Sequence, residues 1–362
     1  MGEEESMYKF SSSEMAEIRA MAATNLDQLG VAIDSAECFR RYGFLKRDKF
    51  CPPDECQAMK RKMKQLVDEE WDPSIDLDSF GTDDKANTAR GDYFLESADK
   101  IHFFAEPTAL ERTAEGKQVL KLEYEGDHRI ESLNKVGHAL HLPKDSPFGK
   151  YFRSSKLAEL VKGDLGWKDP VVPQSMYIFK QANNGGPVNS HQDSTFLFTT
   201  PRQTCLGLWL ALDDATIENG CLWVRPASHK EGVRRQYCRN PLHFGKSSIV
   251  SRSNECAGDA TAAKFIMCEN NEEKPVDWEG SLPKNGWHGL FEAGFVPVEC
   301  KAGDLLAFTG TLDHLSLPNH SNKPRHTFQL HLVDGPEAGI TWSESNWLQY
   351  PGGKPFEKMV YS

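Results

Sequence analysis

From residue 170 onward the chain is a succession of short apolar segments, and this pattern restricts the fold more than any other feature. The segments lie at 171–181, 195–200, 204–214, 221–226, 304–310 and 325–334, and they are rich in β-branched and aromatic residues. Turn signals separate them, among them Asn184-Gly185-Gly186 and Glu218-Asn219-Gly220. No helix-length pattern lies between the first four, which disfavours βαβ units and predicts an antiparallel barrel or sandwich. Residues 231–300 break the series with charge, Gly and Asn, and read as a long insertion between two strands rather than a second domain.

The half before residue 165 carries helical patterns instead. Cys56, Met59, Met63, Leu66 and Val67 recur at three-four spacing, which predicts an amphipathic helix with Asp54 as its N-cap and Pro52-Pro53 at its entry. Residues 39–45 read as a helix end, a Gly43 cap and a strand. Polar, irregular stretches at 72–90 and 106–129 read as loops.

Charge and cysteine content narrow the partners. Lys and Arg number 42 against 53 Asp and Glu, a net charge of −11, so no basic face for a nucleic-acid backbone is expected. No apolar run approaches membrane-spanning length. The nine cysteines form no CxxC pair, so neither a disulfide framework nor a zinc ribbon is expected; Cys205, Cys221 and Cys268 read as buried thiols. The first ten residues are acidic where a leader needs base, so the cytosol is the expected compartment. Gly2 fits the bare acylation pattern, but Glu3, Glu4 and Glu5 beside it would be repelled by anionic lipid.

The residues that carry chemistry are His191, Asp193 and His314. In a strand, positions i and i+2 share a face, so His191 and Asp193 offer an imidazole and a carboxylate side by side. His314 follows the segment at 304–310, 121 residues beyond Asp193, and can complete a two-His-one-carboxylate triad across a barrel. Such a triad leaves coordination positions open and is the mark of a non-haem Fe(II) oxygenase. Arg325 opens the next strand and offers a planar fork for the distal carboxylate of an oxo-acid. Alternation sets Arg325, Thr327, Gln329 and His331 on one face of that strand, and His326, Phe328 and Leu330 on the other. The same ligand set could hold Zn(II) for hydrolysis, which leaves Arg325 idle, or belong to a metal-binding scaffold without turnover.

Seven stretches, at 92–104, 133–141, 174–181, 191–199, 206–229, 314–325 and 341–349, resemble the phytanoyl-CoA dioxygenase family in order and span nearly the whole chain from about residue 36. The resemblance implies an α+β, mainly β protein: a double-stranded β-helix of the jelly-roll or cupin-like kind, buttressed by N-terminal helices. It implies an extension at 1–35, one catalytic domain at 36–350 and a tail at 351–362. It implies Fe(II) bound by His191, Asp193 and His314, 2-oxoglutarate and O2 as cosubstrates, and ascorbate as a candidate reductant. Arg325 resembles the partner of the distal carboxylate of 2-oxoglutarate and Ser316 its hydroxyl companion, while Lys135, Met176 and Trp209 fall where the family lines the cosubstrate pocket. By residue type alone, Met176 and Trp209 read as core packing and Lys135 as surface. The expected product is a hydroxylated small molecule or acyl compound, with succinate and CO2, made by a monomer.

Overall fold

The computed structural model describes residues 8–270 and 276–360; the Gly2 acylation pattern lies outside them. Among the described residues, twelve strands and the short Glu357–Lys358 segment build two sheets. Those of the larger sheet are β1 (Phe44–Arg47), β2 (Asp78–Ser79), β3 (Ile101–Ala105), β4 (Leu133–His138), β5 (Pro170–Lys180), β7 (Leu206–Ala211), β12 (Leu305–Thr309) and β14 (Arg325–Asp334). The smaller sheet holds β6 (Val188–His191), β8 (Leu222–Val224), β11 (Val296–Val298) and β13 (His314–Ser316). The larger runs β1-β12-β7-β14-β5-β4-β3-β2, with Glu357–Lys358 paired to β5, and the smaller runs β11-β8-β13-β6. Apart from the β2–β3 edge every pairing in both sheets is antiparallel. The fold is a jelly-roll double-stranded β-helix, as the segment pattern and the resemblance predict.

Strand alternation decides what each face buries. On β7, Leu206, Leu208 and Leu210 pack into the cluster that contains Met59, Met63, Leu66 and Val67. Trp209 turns the other way, into the cluster with Leu222, Leu306 and Phe308. The helices therefore cover the outer face of the larger sheet and leave its inner face to the smaller one. Gly207 is required at this point because a Cβ there would stand 2.5 Å from the Phe308 ring.

The predicted amphipathic helix spans Pro53–Glu70, with Cys56, Met59, Met63, Leu66 and Val67 all buried. Its N-cap is Pro52 rather than Asp54, and no side chain caps it. Pro53 opens the first turn without an N–H to satisfy, and Asp54 and Glu55 sit where the helix dipole favours acid. Ala36–Tyr42 is helical, and Gly43 closes it at φ 86° before β1, as read from the sequence.

Other stretches differ from expectation. The segment at 195–200 is no continuous strand. Asp193–Thr195 forms a tight turn whose carbonyl at Asp193 accepts from the N–H groups of Phe196 and Leu197, leaving Thr199–Thr200 to pair with Thr341–Trp342. Residues 106–129 contain a hairpin, Leu110–Arg112 with Gln118–Leu120, and 84–88 form a helical turn capped by Asp83. Within the insertion a further hairpin forms, β9 (Arg235–Arg239) with β10 (Phe265–Glu269), and β11 near its end belongs to the smaller sheet. Cys268, on that hairpin, is half-buried rather than buried, whereas Cys205 and Cys221 are buried as expected. Ser12–Asp27 in the extension is a helix with a Ser11–Glu14 capping box, and its Ile18 is fully buried in the core. Among the described residues no helix is long and apolar enough to cross a membrane.

Candidate metal centre

Between the two sheets lies a cavity of about 140 Å³ whose wall includes His191, Asp193, His314 and Arg325. His191 ends β6 and His314 opens β13, and the two residues are paired in register. Asp193 follows on the turn that leaves β6. One nitrogen or oxygen from each of the three lies within 4.8 Å of the others, the only such group of three among the described residues. Asp193 Oδ1 stands 3.5 Å from His191 Nε2 and 3.7 Å from His314 Nε2.

Backbone carbonyls set the tautomers. His191 Nδ1 lies 2.8 Å from the Asn189 carbonyl and His314 Nδ1 3.0 Å from that of Leu312. A carbonyl only accepts, so both Nδ1 atoms carry a proton, and Nε2, the atom directed at Asp193, is the one that could ligate a metal. Burial and then the neighbouring His191 push His314 down to about 4, so it stays neutral and able to ligate. Burial opposes ionisation of Asp193, yet the imidazoles of His331 and His314 outweigh it and hold the carboxyl well below its usual range.

Arg325 has 1% of its surface exposed. Its Nη1 and Nη2 make long contacts to the hydroxyls of Thr327 (3.3 Å) and Ser316 (3.5 Å), and its Nε has no partner. No carboxylate forms an ion pair with it among the described residues. The guanidinium stands 5.3 Å from the Trp209 ring centroid. Burial lowers it only to about 10, so it is charged at neutral pH. A buried, fully charged fork with weak partners is unfavourable unless an anion completes it.

The candidate site residues named from the sequence all line this cavity: Lys135, Met176, Trp209, Ser316 and Arg325 beside His191, Asp193 and His314. Lys135 is 2% exposed, not a surface residue, because β4 runs between β3 and β5. Trp209, Gln329, Met176 and Gly137 stand opposite one another on four neighbouring strands, which carries the row across the cavity wall.

Sequence reading missed several neighbours. His331 Nε2 donates to Asp193 Oδ2 at 3.0 Å, with Nδ1 held by Gln174 at 3.1 Å, leaving Oδ1 turned toward the imidazoles of His191 and His314. Alternation placed His331 on the right face, but only the fold reveals this bond. Gln192 is fully buried: its amide donates to the carbonyls of Gly232 and Thr311, and its oxygen accepts from Arg234 N. Arg234 in turn pairs with Asp313 and Glu279, so the insertion is tied to the segments that carry Asp193 and His314. Trp347 also lines the cavity. If His331 orients the carboxylate, His331→Ala weakens Mn(II) binding by about 10- to 100-fold in equilibrium dialysis; an unchanged affinity would show that the bond orients nothing.

Two imidazoles and a carboxylate meeting between the sheets of a double-stranded β-helix form a group that could hold a single metal ion. Comparison with known proteins agrees. The family profile described as phytanoyl-CoA dioxygenase (PhyH) matches residues 39–327. A curated relative from Arabidopsis thaliana, phytanoyl-CoA dioxygenase, is 36% identical over 318 residues, covering 87% of this chain and 93% of its own. Phytanoyl-CoA dioxygenase domain-containing protein 1 of Mus musculus is 36% identical over 321 residues, 88% of this chain and 94% of its own. Among solved structures, the non-heme alpha ketoglutarate dependent carbocyclase SnoK from nogalamycin biosynthesis shares the fold at a TM-score of 0.51 and 14% identity, over 92% of this chain and 97% of that one. The chain belongs to the phytanoyl-CoA dioxygenase family and is an oxidoreductase.

Proposed function

We propose that this protein is an Fe(II)- and 2-oxoglutarate-dependent dioxygenase that hydroxylates a small organic molecule. The observation that carries the reading is the pairing of an open His191/Asp193/His314 group with an uncompensated Arg325 in one cavity. A zinc hydrolase would use the first and leave the second, with its unpartnered Nε, unexplained.

The donor set fits Fe(II): two neutral imidazole nitrogens and one ionised carboxylate suit a divalent first-row ion. When bound, iron with 2-oxoglutarate and O2 supplies the oxidising power, releasing succinate and CO2. The chain supplies the geometry. Arg325, backed by Ser316 and Thr327, holds the distal carboxylate of the cosubstrate. Ser316 donates its own proton to the Gly220 carbonyl at 2.8 Å, which turns its lone pairs toward Arg325 and steadies the fork. Met176 and Trp209 give the cosubstrate an apolar bed, and Lys135 lies within the same wall. Phe308, with its ring 4.6 Å from that of His314, helps keep water from the ligand cluster. In this reading the catalytic unit is residues 36–350, working as a cytosolic monomer with ascorbate as reductant.

Anaerobic addition of Fe(II) and 2-oxoglutarate to the full chain is expected to give a weak visible charge-transfer band. Admission of O2 should then yield succinate. Zinc hydrolysis predicts neither signal, and their joint absence would refute the proposal.

A further inference from the structure

The cavity holds more positive charge than iron and cosubstrate require, and this surplus points to the substrate; the argument rests on the dioxygenase reading above. Arg90 and Lys135 line the same cavity as the metal ligands. The Arg90 guanidinium is clamped between Phe80 and Phe94, 4.1 Å from each ring centroid. Its Nη2 donates to the Gly81 carbonyl at 3.1 Å and to Asn87 Oδ1 at 2.6 Å, while its Nε has no partner. Lys135 Nζ stands 3.7 Å from the Phe80 ring centroid. Neither cation forms an ion pair within 4.0 Å of a carboxylate among the described residues. Asp78 and Asp83 act on Arg90 only through space. Aromatic faces partly offset a cation's lost hydration but do not neutralise it.

Counting the formal charges isolates the surplus. A metal dication with Arg325 is balanced by Asp193 with a 2-oxoglutarate dianion. Arg90 is left over whatever Lys135 does, and burial together with the adjacent Arg90 keeps Lys135 well below its ordinary range until an anion arrives. The same wall presents the rings of Phe80, Phe94, Phe196 and Trp347, with Thr82, Asn87 and Asn134 as neutral polar neighbours and, among the described residues, no carboxylate besides Asp193.

We infer that the prime substrate is an apolar molecule bearing an oxyanion, a carboxylate or a phosphate ester, which Arg90 seats against these four rings. A free acid would bring its carboxylate. A coenzyme A thioester is neutral at the acyl carbonyl and would have to bring a phosphate.

The test is calorimetric, on the full chain loaded with Mn(II) and 2-oxoglutarate, with octanoate, octanoyl-CoA and octanol as probes. At least one anionic probe is expected to bind tenfold or more tightly than octanol, and to lose tenfold or more in Arg90→Gln. Octanoate as that probe identifies a carboxylate; octanoyl-CoA alone identifies a phosphate. Arg90→Lys, which keeps the charge without the fork, should retain part of the gain. Wild-type affinity of the variants for Mn(II) and 2-oxoglutarate reports that their fold is intact. Equal binding of octanol and both anions, binding by neither anion, or no effect of Arg90→Gln would each overturn the inference. Loss of Mn(II) or 2-oxoglutarate binding in the wild-type chain would instead sink the dioxygenase reading itself.

Discussion

Asp193→Ala is expected to weaken Mn(II) binding by more than about a hundredfold and to reduce succinate formation to the metal-free background. The argument is electrostatic as much as geometric. Asp193 is the one anion in the ligand group, held ionised by His331 and His314 against the cost of its burial. Without it, His191 and His314 present two neutral nitrogens, and a dication in a low-dielectric cavity loses its only charge partner. The effect should exceed that of removing His331, which touches the metal only through Asp193. Equilibrium dialysis with Mn(II), with succinate measured in parallel, checks both halves. The fold should survive, since truncation to alanine adds no buried charge to those the cavity already holds. A variant that keeps Mn(II) binding within a few-fold of wild type would exclude Asp193 as a ligand.

That this carboxylate could be picked out from sequence has a simple reason. His191 and Asp193 are two positions apart, and although β6 ends at His191, Gln192 keeps an extended backbone, so the pair still shares a face as strand alternation predicts. Arg325 was legible from its place at the start of the strand that follows His314, and alternation gave the face of β14 it shares with Gln329 and His331. The contacts that could not be read are those set by register between distant strands. The His331–Asp193 bond joins residues 138 positions apart. Lys135 looked like a surface lysine because nothing local shows that β4 is flanked on both sides. Arg90, in a stretch taken for loop, reaches the cavity because Phe80 and Phe94 grip it from both faces. The insertion gave no strand signal at Val296–Val298, where a proline interrupts an apolar triplet, yet β11 borders β8 there. Only the edge position, with no strand beyond it, makes that proline acceptable.

Arg325→Ala is expected to raise the 2-oxoglutarate KM by about a hundredfold, corresponding to roughly 3 kcal/mol, while leaving Mn(II) affinity near wild type. The magnitude follows from burial. Arg325 is 1% exposed and faces no protein carboxylate, so in the complex the distal carboxylate of the cosubstrate would be desolvated against it. Truncation then leaves that anion without a counter-charge. Arg325→Lys restores the charge but not the fork, nor the planar contact with Trp209 at 5.3 Å, and should recover only part of the loss. The unliganded protein need not lose stability. Its buried guanidinium has long hydroxyl contacts and an unpartnered Nε, so removing it relieves an uncompensated charge, and an unchanged or raised urea midpoint is expected. Steady-state kinetics across 2-oxoglutarate concentrations, together with dialysis against Mn(II), separate the two sites. A KM unaltered by Arg325→Ala would remove Arg325 from the cosubstrate and reopen the hydrolytic reading of the triad.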